Sequence, residues 1–346
     1  MADHEDSLDI PATLVVGPSW VGDMVMAQPL FKLLKERQPE TPIDVLAPEW
    51  SSPLLSRMPE VRKAVPTNIK HGQLGLVTRF RHGRSLLGQY SRAIVLPNSL
   101  KSALIPFHAK IPIRTGFIGE MRWGLLTDAR PLNKTVLQKT ADRFMALALE
   151  RDEAMPKVLP TPSLTSSPKR AKKLLKQLGV TNTKQPTLAI SPGAEYGPAK
   201  QWPEEHFASV ARIQGAKGWN VLLLGSAKEE KLCAGIAEKA EGNGYNFAGK
   251  TTLAEAVDIL SIANCVVCND SGPMHVAAAL GRPVVAIFGS SDPEHTPPVG
   301  PKAHVISLRL PCAPCFKREC PEIHLRCLKE ISPDIVLKQL EVAIKS

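Results

Sequence analysis

Aromatic residues make up only 5% of this 346-residue chain, and tyrosine occurs three times. Proteins that hold single strands of nucleic acid stack bases on aromatic side chains set among basic ones. No such interleaving occurs here, so no nucleic-acid partner is expected despite a net charge of +10. Long apolar runs are also missing. Nothing approaches the ~20 apolar residues of a membrane-spanning helix, and the opening M-A-D-H-E-D-S-L-D-I is too acidic and polar for a secretory signal. A cytoplasmic location is expected. Cysteine is scarce and odd in number: seven, without a signal segment, argue against a disulfide framework.

Several catalytic signatures are absent as well. Neither half carries G-x-G-x-x-G after its first apolar run, nor an acidic ribose reader at the expected distance, which disfavours a dinucleotide dehydrogenase. No nucleophile elbow and no H-E-x-x-H appears.

What is present describes a globular protein, 43% hydrophobic and 22% charged. The length exceeds that at which one core usually keeps growing, so two domains are expected. The 31 prolines, nearly twice average usage, suggest sharp loop entries. Short β-branched runs alternate with helical stretches: 14–16, 43–46, 93–96, 188–190, 221–224, 266–267, 284–288 and 305–308. That alternation means α/β architecture with parallel sheets. Residues 151–167 hold three prolines and a Ser/Thr cluster, as an interdomain linker would. The expected divisions are 1–160, 161–332 and a terminal helix over 333–346.

The positive charge is concentrated. Residues 51–130 carry 13 Lys/Arg (Arg57, Arg62, Lys63, Lys70, Arg79, Arg81, Arg84, Arg92, Lys101, Lys110, Arg114, Arg122 and Arg130) against Glu60, Glu120 and Asp128. Such a block implies an anionic partner, against the plainer reading of a solvated basic face.

Ligands of open parallel sheets lie beyond the carboxyl ends of the strands, so the loops leaving those strands matter most. In N-D-S-G-P-M-H, residues 269–275, Asp270 or Ser271 can cap a helix, Gly272 opens it and Pro273 suits its first turn. A helix start of this kind is a seat for phosphate, and His275 adds a donor. The plainer reading leaves Asp270 a cap and His275 a core-edge residue. The loop 191–203 begins the same half and contains Lys200, a point charge suited to a diphosphate. Its Glu195 and Tyr196 can touch ribose, base or sugar, or simply shape the loop. In the first half, G-P-S-W-V-G-D-M (17–24) has the glycine gap of a phosphate loop but Asp23 where the lysine belongs. A phosphate-binding half facing a basic half with one conspicuous carboxylate suits group transfer from a nucleotide sugar.

Five ordered motifs, G-P-S-W-V-G-D-M, L-P-N-S-L-K-S-A-L, R-T-G-F-I-G-E-M-R-W-G-L-L, P-G-A-E-Y-G-P-A-K-Q-W-P and N-D-S-G-P-M-H-V-A-A-A-L, run over nearly the whole chain. Together they resemble the lipopolysaccharide heptosyltransferases of glycosyltransferase family 9. The resemblance implies a GT-B architecture of two Rossmann-like domains facing a cleft, acceptor on the first and ADP-sugar on the second, with the terminal helix crossing back to the first. It implies inverting transfer of L-glycero-D-manno-heptose from ADP-heptose onto the first heptose of Kdo-lipid A, an anionic acceptor at the cytoplasmic face of the inner membrane. No cofactor is required.

By the same resemblance Asp23 is the general base, Lys200 stabilises the leaving group, and Glu195, Lys200, Asp270, Ser271, Gly272 and His275 bind the donor. Asn98, Ser99, Lys101, Arg114, Glu120 and Arg122 are acceptor-side candidates, with Arg57, Arg62 and Lys63 also available to its anionic groups. Gly22 is expected to allow a tight turn and leave room for a sugar. Two positions depart from the family pattern: Pro273 in place of Leu, and Gln201 in place of Arg. Cys312, Cys315, Cys320 and Cys327, spaced C-x2-C-x4-C-x6-C, are a candidate structural zinc site. Alternatives are a family 9 enzyme acting on a different core acceptor, a UDP-GlcNAc 2-epimerase-like enzyme of the same fold, and a basic protein that binds without turnover.

Overall fold

The computed structural model describes residues 12–69 and 73–346. The polar opening segment and Lys70 of the basic block lie outside the described residues. The chain divides into two compact units, Met1–Pro160 and Thr161–Ser346, with the division inside the proline-rich stretch.

Unit 1 carries six strands: β1 (Ala12–Val16), β2 (Ile43–Pro48), β3 (Lys63–Thr67), β4 (Tyr90–Val95), β5 (Ile113–Phe117) and β6 (Asp128–Arg130). Their order is β3-β2-β1-β4-β5-β6, and every pairing is parallel. Unit 2 repeats the plan with β7 (Thr187–Ser191), β8 (Asn220–Leu223), β9 (Tyr245–Asn246), β10 (Cys265–Asn269), β11 (Val284–Ile287) and β12 (Ala303–Ile306), ordered β12-β11-β10-β7-β8-β9 and again parallel throughout. All five residues of β1, β7 and β10 are buried. Burial on both faces is why those strands read as unbroken apolar runs rather than alternating ones.

In each sheet the strand order reverses beside the first strand, between β1 and β4 in unit 1 and between β7 and β10 in unit 2. The loops leaving these paired strands diverge and open a crevice at the carboxyl edge. They are the loops that begin at Gly17 and Leu96 in one unit and at Pro192 and Asp270 in the other.

In the terminal helix Pro333–Lys345, the buried Val336, Leu340 and Ala343 join the core of unit 2, beside Leu188, Ile190, Val285 and Ile287. Apolar residues at this spacing form one helix face, and the unit's own sheet covers it.

Candidate active site

In unit 1 the helix Val21–Arg37 starts directly after the loop from β1, with Trp20 extended at its N-cap and Asp23 in its first turn. The positive end of the helix dipole favours a negative charge there. Asp23 is half-buried, next to the wholly enclosed Met24 and Val25. The tight turn expected at Gly22 is not found: Gly22 is a buried residue of the helix itself, and the change of direction lies in 17–20.

The acceptor-side candidates divide into two sets. Asn98, Ser99 and Glu120 line one pocket of about 570 Å³ together with Ile118, Gly119 and Lys134. A Glu120 carboxylate oxygen accepts the Leu100 N–H at 2.8 Å, tying the loop after β4 to the loop after β5. Lys101 is half-buried in the short helical turn Leu100–Ala103. Arg122, expected at the acceptor, is instead 0% exposed. Its guanidinium donates to Phe117 O at 3.0 and 2.6 Å, Pro97 O at 2.5 Å, Ser99 O at 3.2 Å and Ser102 Oγ at 3.0 Å. Burial pushes its pKa down to about 10. With its donors turned onto main-chain oxygens, Arg122 positions the Pro97–Ser99 segment rather than offering charge to a ligand.

Arg114 is also engaged, donating through Nε to Leu125 O at 2.7 Å and through Nη1 to Ile111 O, with its guanidinium carbon 5.6 Å from the Phe107 ring centre. Arg62 forms a two-pronged pair with the buried Asp44 at 2.8 and 2.6 Å, and Lys63 lies 3.6 Å from the same carboxylate. The Tyr90 hydroxyl donates to Asp44 at 2.8 Å, and burial followed by that carboxylate raises its pKa. These cations find carboxylate, carbonyl or ring partners within unit 1.

In unit 2 the two switch-point loops join through side chains. Lys200 Nζ is 2.5 Å from Asp270 Oδ2, and Ser291 Oγ donates to the same oxygen at 2.5 Å. One residue earlier, Asn269 accepts the Trp202 N–H at 3.0 Å through Oδ1 and donates to Pro192 O at 2.7 Å through Nδ2. Trp202 is fully buried and its indole N–H donates to Ile331 O at 2.9 Å, which anchors the end of the Lys200 loop in the core. Asp270 and Lys200 are therefore placed by backbone and amide contacts on either side of them.

The helix Gly272–Ala279 follows, with Ser271 extended at its N-cap and Pro273 in the first turn. The Ser271 side chain makes no capping bond; its hydroxyl donates to Asn269 O at 3.2 Å. His275 is 5% exposed, and burial pushes its pKa down to about 4, against the opposing pull of Asp270. It is a neutral imidazole at physiological pH, able to donate one N–H but not a charge. Glu195 is exposed and paired with Lys228 at 2.8 Å.

Three contributors were missed in the sequence: the segment around Arg318, Ser291 and Glu229. The Tyr196 ring is in contact with two cations, Lys200 Nζ 4.9 Å and Arg318 Cζ 5.4 Å from its centre. The segment around Arg318 straps this loop: Arg318 Nε donates to Tyr196 O at 2.7 Å, Ala199 N–H to Arg318 O at 3.0 Å, and the Tyr196 hydroxyl to Phe316 O at 2.7 Å. Gly197, at φ 154°, admits that strap, since a Cβ there would stand 2.6 Å from Arg318 O. Ser291 is the second, and the S-S-D run after β11 marks it only as another loop leaving the sheet. Glu229 is the third. Its carboxylate accepts from Ser226 N at 2.6 Å and fills the space beside Gly193, where a Cβ would meet Oε1 at 1.4 Å. The capping-box spacing S-A-K-E is the signal that finds it.

The expected zinc site gains no support. Cys312 is exposed, Cys315 and Cys320 are half-buried and Cys327 is buried. Among the described residues no group of three or more His, Cys, Asp or Glu is arranged to hold a metal ion. No described helix is long and apolar enough to cross a membrane.

Residues 79–325 match the model of glycosyltransferase family 9 (heptosyltransferase). The chain is 44% identical to lipopolysaccharide heptosyltransferase 2 of Salmonella typhimurium, over 94% of this chain and 97% of that one. It is 46% identical to lipooligosaccharide heptosyltransferase 2 of Haemophilus influenzae, over 85% and 88%. Its structure is similar to that of E. coli ADP-heptose lps heptosyltransferase II, with a TM-score of 0.85 at 40% identity, covering 96% of this chain and 98% of that one.

Proposed function

The chain belongs to glycosyltransferase family 9, the heptosyltransferases, and from that premise we propose that it moves L-glycero-D-manno-heptose from ADP-heptose onto the first heptose of Kdo-lipid A. The observation that carries the reading is the joined pair of loops in unit 2, with Lys200 held on Asp270 beside the N-terminus of the helix Gly272–Ala279. A cation and a helix N-terminus at the switch point of a parallel sheet suit a nucleoside diphosphate.

In the inverting step an acceptor hydroxyl oxygen attacks the anomeric carbon as the bond from that carbon to the diphosphate oxygen breaks. The bonding pair departs with ADP, and the hydroxyl proton passes to the Asp23 carboxylate. General-base assistance of this kind contributes roughly 10²–10⁴-fold. Lys200 and the amides at Ser271 and Gly272 oppose the charge that grows on the departing diphosphate. Asp270 keeps the Lys200 ammonium aimed, and a carboxylate already paired to lysine and serine repels the diphosphate less than a bare one. His275, neutral, donates an N–H without adding charge. On the acceptor side, Asn98, Ser99 and Glu120 offer hydrogen bonds to sugar hydroxyls, and Lys101 offers charge to the anionic groups of an acceptor at the cytoplasmic membrane face.

An acceptor panel tests the reading. Purified protein, ADP-heptose and Kdo-lipid A bearing one heptose should yield one ADP per heptose transferred, with inverted anomeric configuration. Transfer only to another core acceptor would move the acceptor assignment. Conversion of the donor without any acceptor would replace transfer with epimerase-type chemistry.

A further inference from the structure

Between Glu60 and Glu120 the sequence contains no carboxylate side chain, while ten Lys and Arg fall in the same interval. Inside it stands the helix Leu76–Ser85, with sequence L-V-T-R-F-R-H-G-R-S. The helix is seated by Gly83, where a Cβ would lie 2.6 Å from His108 Cβ and 2.7 Å from Ile105 O, and by Phe80, whose ring meets His108 edge-on at 5.1 Å. Arg79 turns back to donate to Leu74 O at 2.7 Å.

Beyond that contact much of the helix surface is exposed among the described residues. Leu76, Phe80 and Arg84 recur at intervals of four, and Val77 and Arg81 form a parallel row, so all five share one side of the helix. Leu76 is 54% exposed, Val77 63% and Phe80 49%, with Leu74 at 51% immediately before them. Arg81 and Arg84 are exposed beside these apolar side chains. Contiguous exposed apolar side chains on a monomer mark a contact surface. An apolar strip with arginines at its margin, in a stretch of sequence free of carboxylates, has the pattern of a helix that lies in a lipid interface.

We propose that this face of the helix Leu76–Ser85 docks on an anionic lipid surface, with Leu74, Leu76, Val77 and Phe80 entering the headgroup boundary and Arg81 and Arg84 meeting lipid phosphates. Charge complementarity selects this occupant. A nucleic-acid backbone would use the arginines but leave the apolar row wet. A second copy of the chain would bring arginines against arginines. The surface is separate from the transfer chemistry, so either can fail alone.

Sedimentation of the full-length protein with vesicles tests the proposal, using phosphatidylcholine alone and phosphatidylcholine mixed with phosphatidylglycerol. The wild type should pellet with the anionic vesicles and release as salt rises. Each surface arginine contributes roughly five-fold to such partitioning, so Arg81→Gln with Arg84→Gln should weaken it about 25-fold. Leu76→Asp with Val77→Asp should weaken it at least ten-fold at unchanged salt, while Val158→Asp, at an 86% exposed apolar residue elsewhere in the unit, should not. All variants should keep wild-type melting curves and wild-type transfer to an acceptor stripped of its acyl chains. Equal binding to neutral vesicles would overturn the proposal. So would undiminished binding of the Leu76/Val77 variant, or a dimer of the wild type that this variant dissociates.

Discussion

Lys200 Nζ and Asp270 Oδ2 stand 2.5 Å apart, although 70 residues separate them in sequence. The contact joins the loop leaving β7 to the loop leaving β10, at the point where the strand order of unit 2 reverses. It gives the Lys200 ammonium a fixed direction, which a flexible four-carbon side chain lacks by itself.

Asp270→Asn removes that direction while keeping the shape. The loss of one charge-assisted bond, about 1.5–3 kcal/mol, should lower kcat roughly 10- to 100-fold. Steady-state kinetics with donor varied will read it, and melting temperature should change little by comparison.

Tyr196→Phe and Tyr196→Ala separate the two contacts of that side chain. The phenylalanine variant keeps a ring beside Lys200 and Arg318 and loses only the bond to Phe316 O. It should retain near-normal kinetics. The alanine variant also loses the cation–ring contacts, about 0.5–2 kcal/mol, and should raise the donor KM several-fold. Arg318→Ala should resemble it, with partial rescue by Arg318→Lys.

Arg122→Ala should destabilise unit 1 by roughly 3 kcal/mol or more, because it strands buried main-chain oxygens that the guanidinium now satisfies. Urea titration followed by circular dichroism measures this. If Arg122 served only to contact the acceptor, stability would be unchanged and only acceptor KM would rise.

His275 makes a pH-dependent contribution of known sign. Its folded pKa, about 4, lies below the ordinary value of 6.5 because burial disfavours the charged ring. Between these values the unfolded chain binds a proton that the folded chain does not, so its contribution to stability is complete above 6.5 and is lost as pH falls toward 4. Denaturant midpoints of His275→Gln should fall less steeply across that window than those of the wild type. Wild-type kcat should show no inflection from this residue near neutrality.

Much of the scaffold was legible because buried parallel strands are continuous apolar runs. All eight such runs fall on strands, among them Leu188–Ile190 in β7 and Val284–Phe288 over β11. The other four strands were hidden. β3 carries exposed Lys63 and Pro66 at a sheet edge, β5 holds Arg114 and Gly116, and β6 and β9 are only three and two residues long. At the site, Asp270 and Lys200 could be singled out from their loops, but their pairing depends on strand order, which no local pattern encodes. Arg122 shows the opposite error. An arginine in a basic block reads as a surface charge, and only tertiary packing shows carbonyls closing around it. The strap at Arg318 was invisible for the same reason, since its contacts with residues 196–199 cross more than a hundred positions of sequence.

The central claim is that this chain transfers heptose with Asp23 as the base, and the most direct test compares wild type with Asp23→Asn in one experiment. ADP release and heptosylated product would be followed together, with ADP binding measured by calorimetry. The account predicts equimolar ADP and product from the wild type, a loss of roughly 10²–10⁴-fold in kcat for the variant, and nearly unchanged ADP affinity. Wild-type turnover by Asp23→Asn, or an equal loss of ADP binding and transfer, would contradict it.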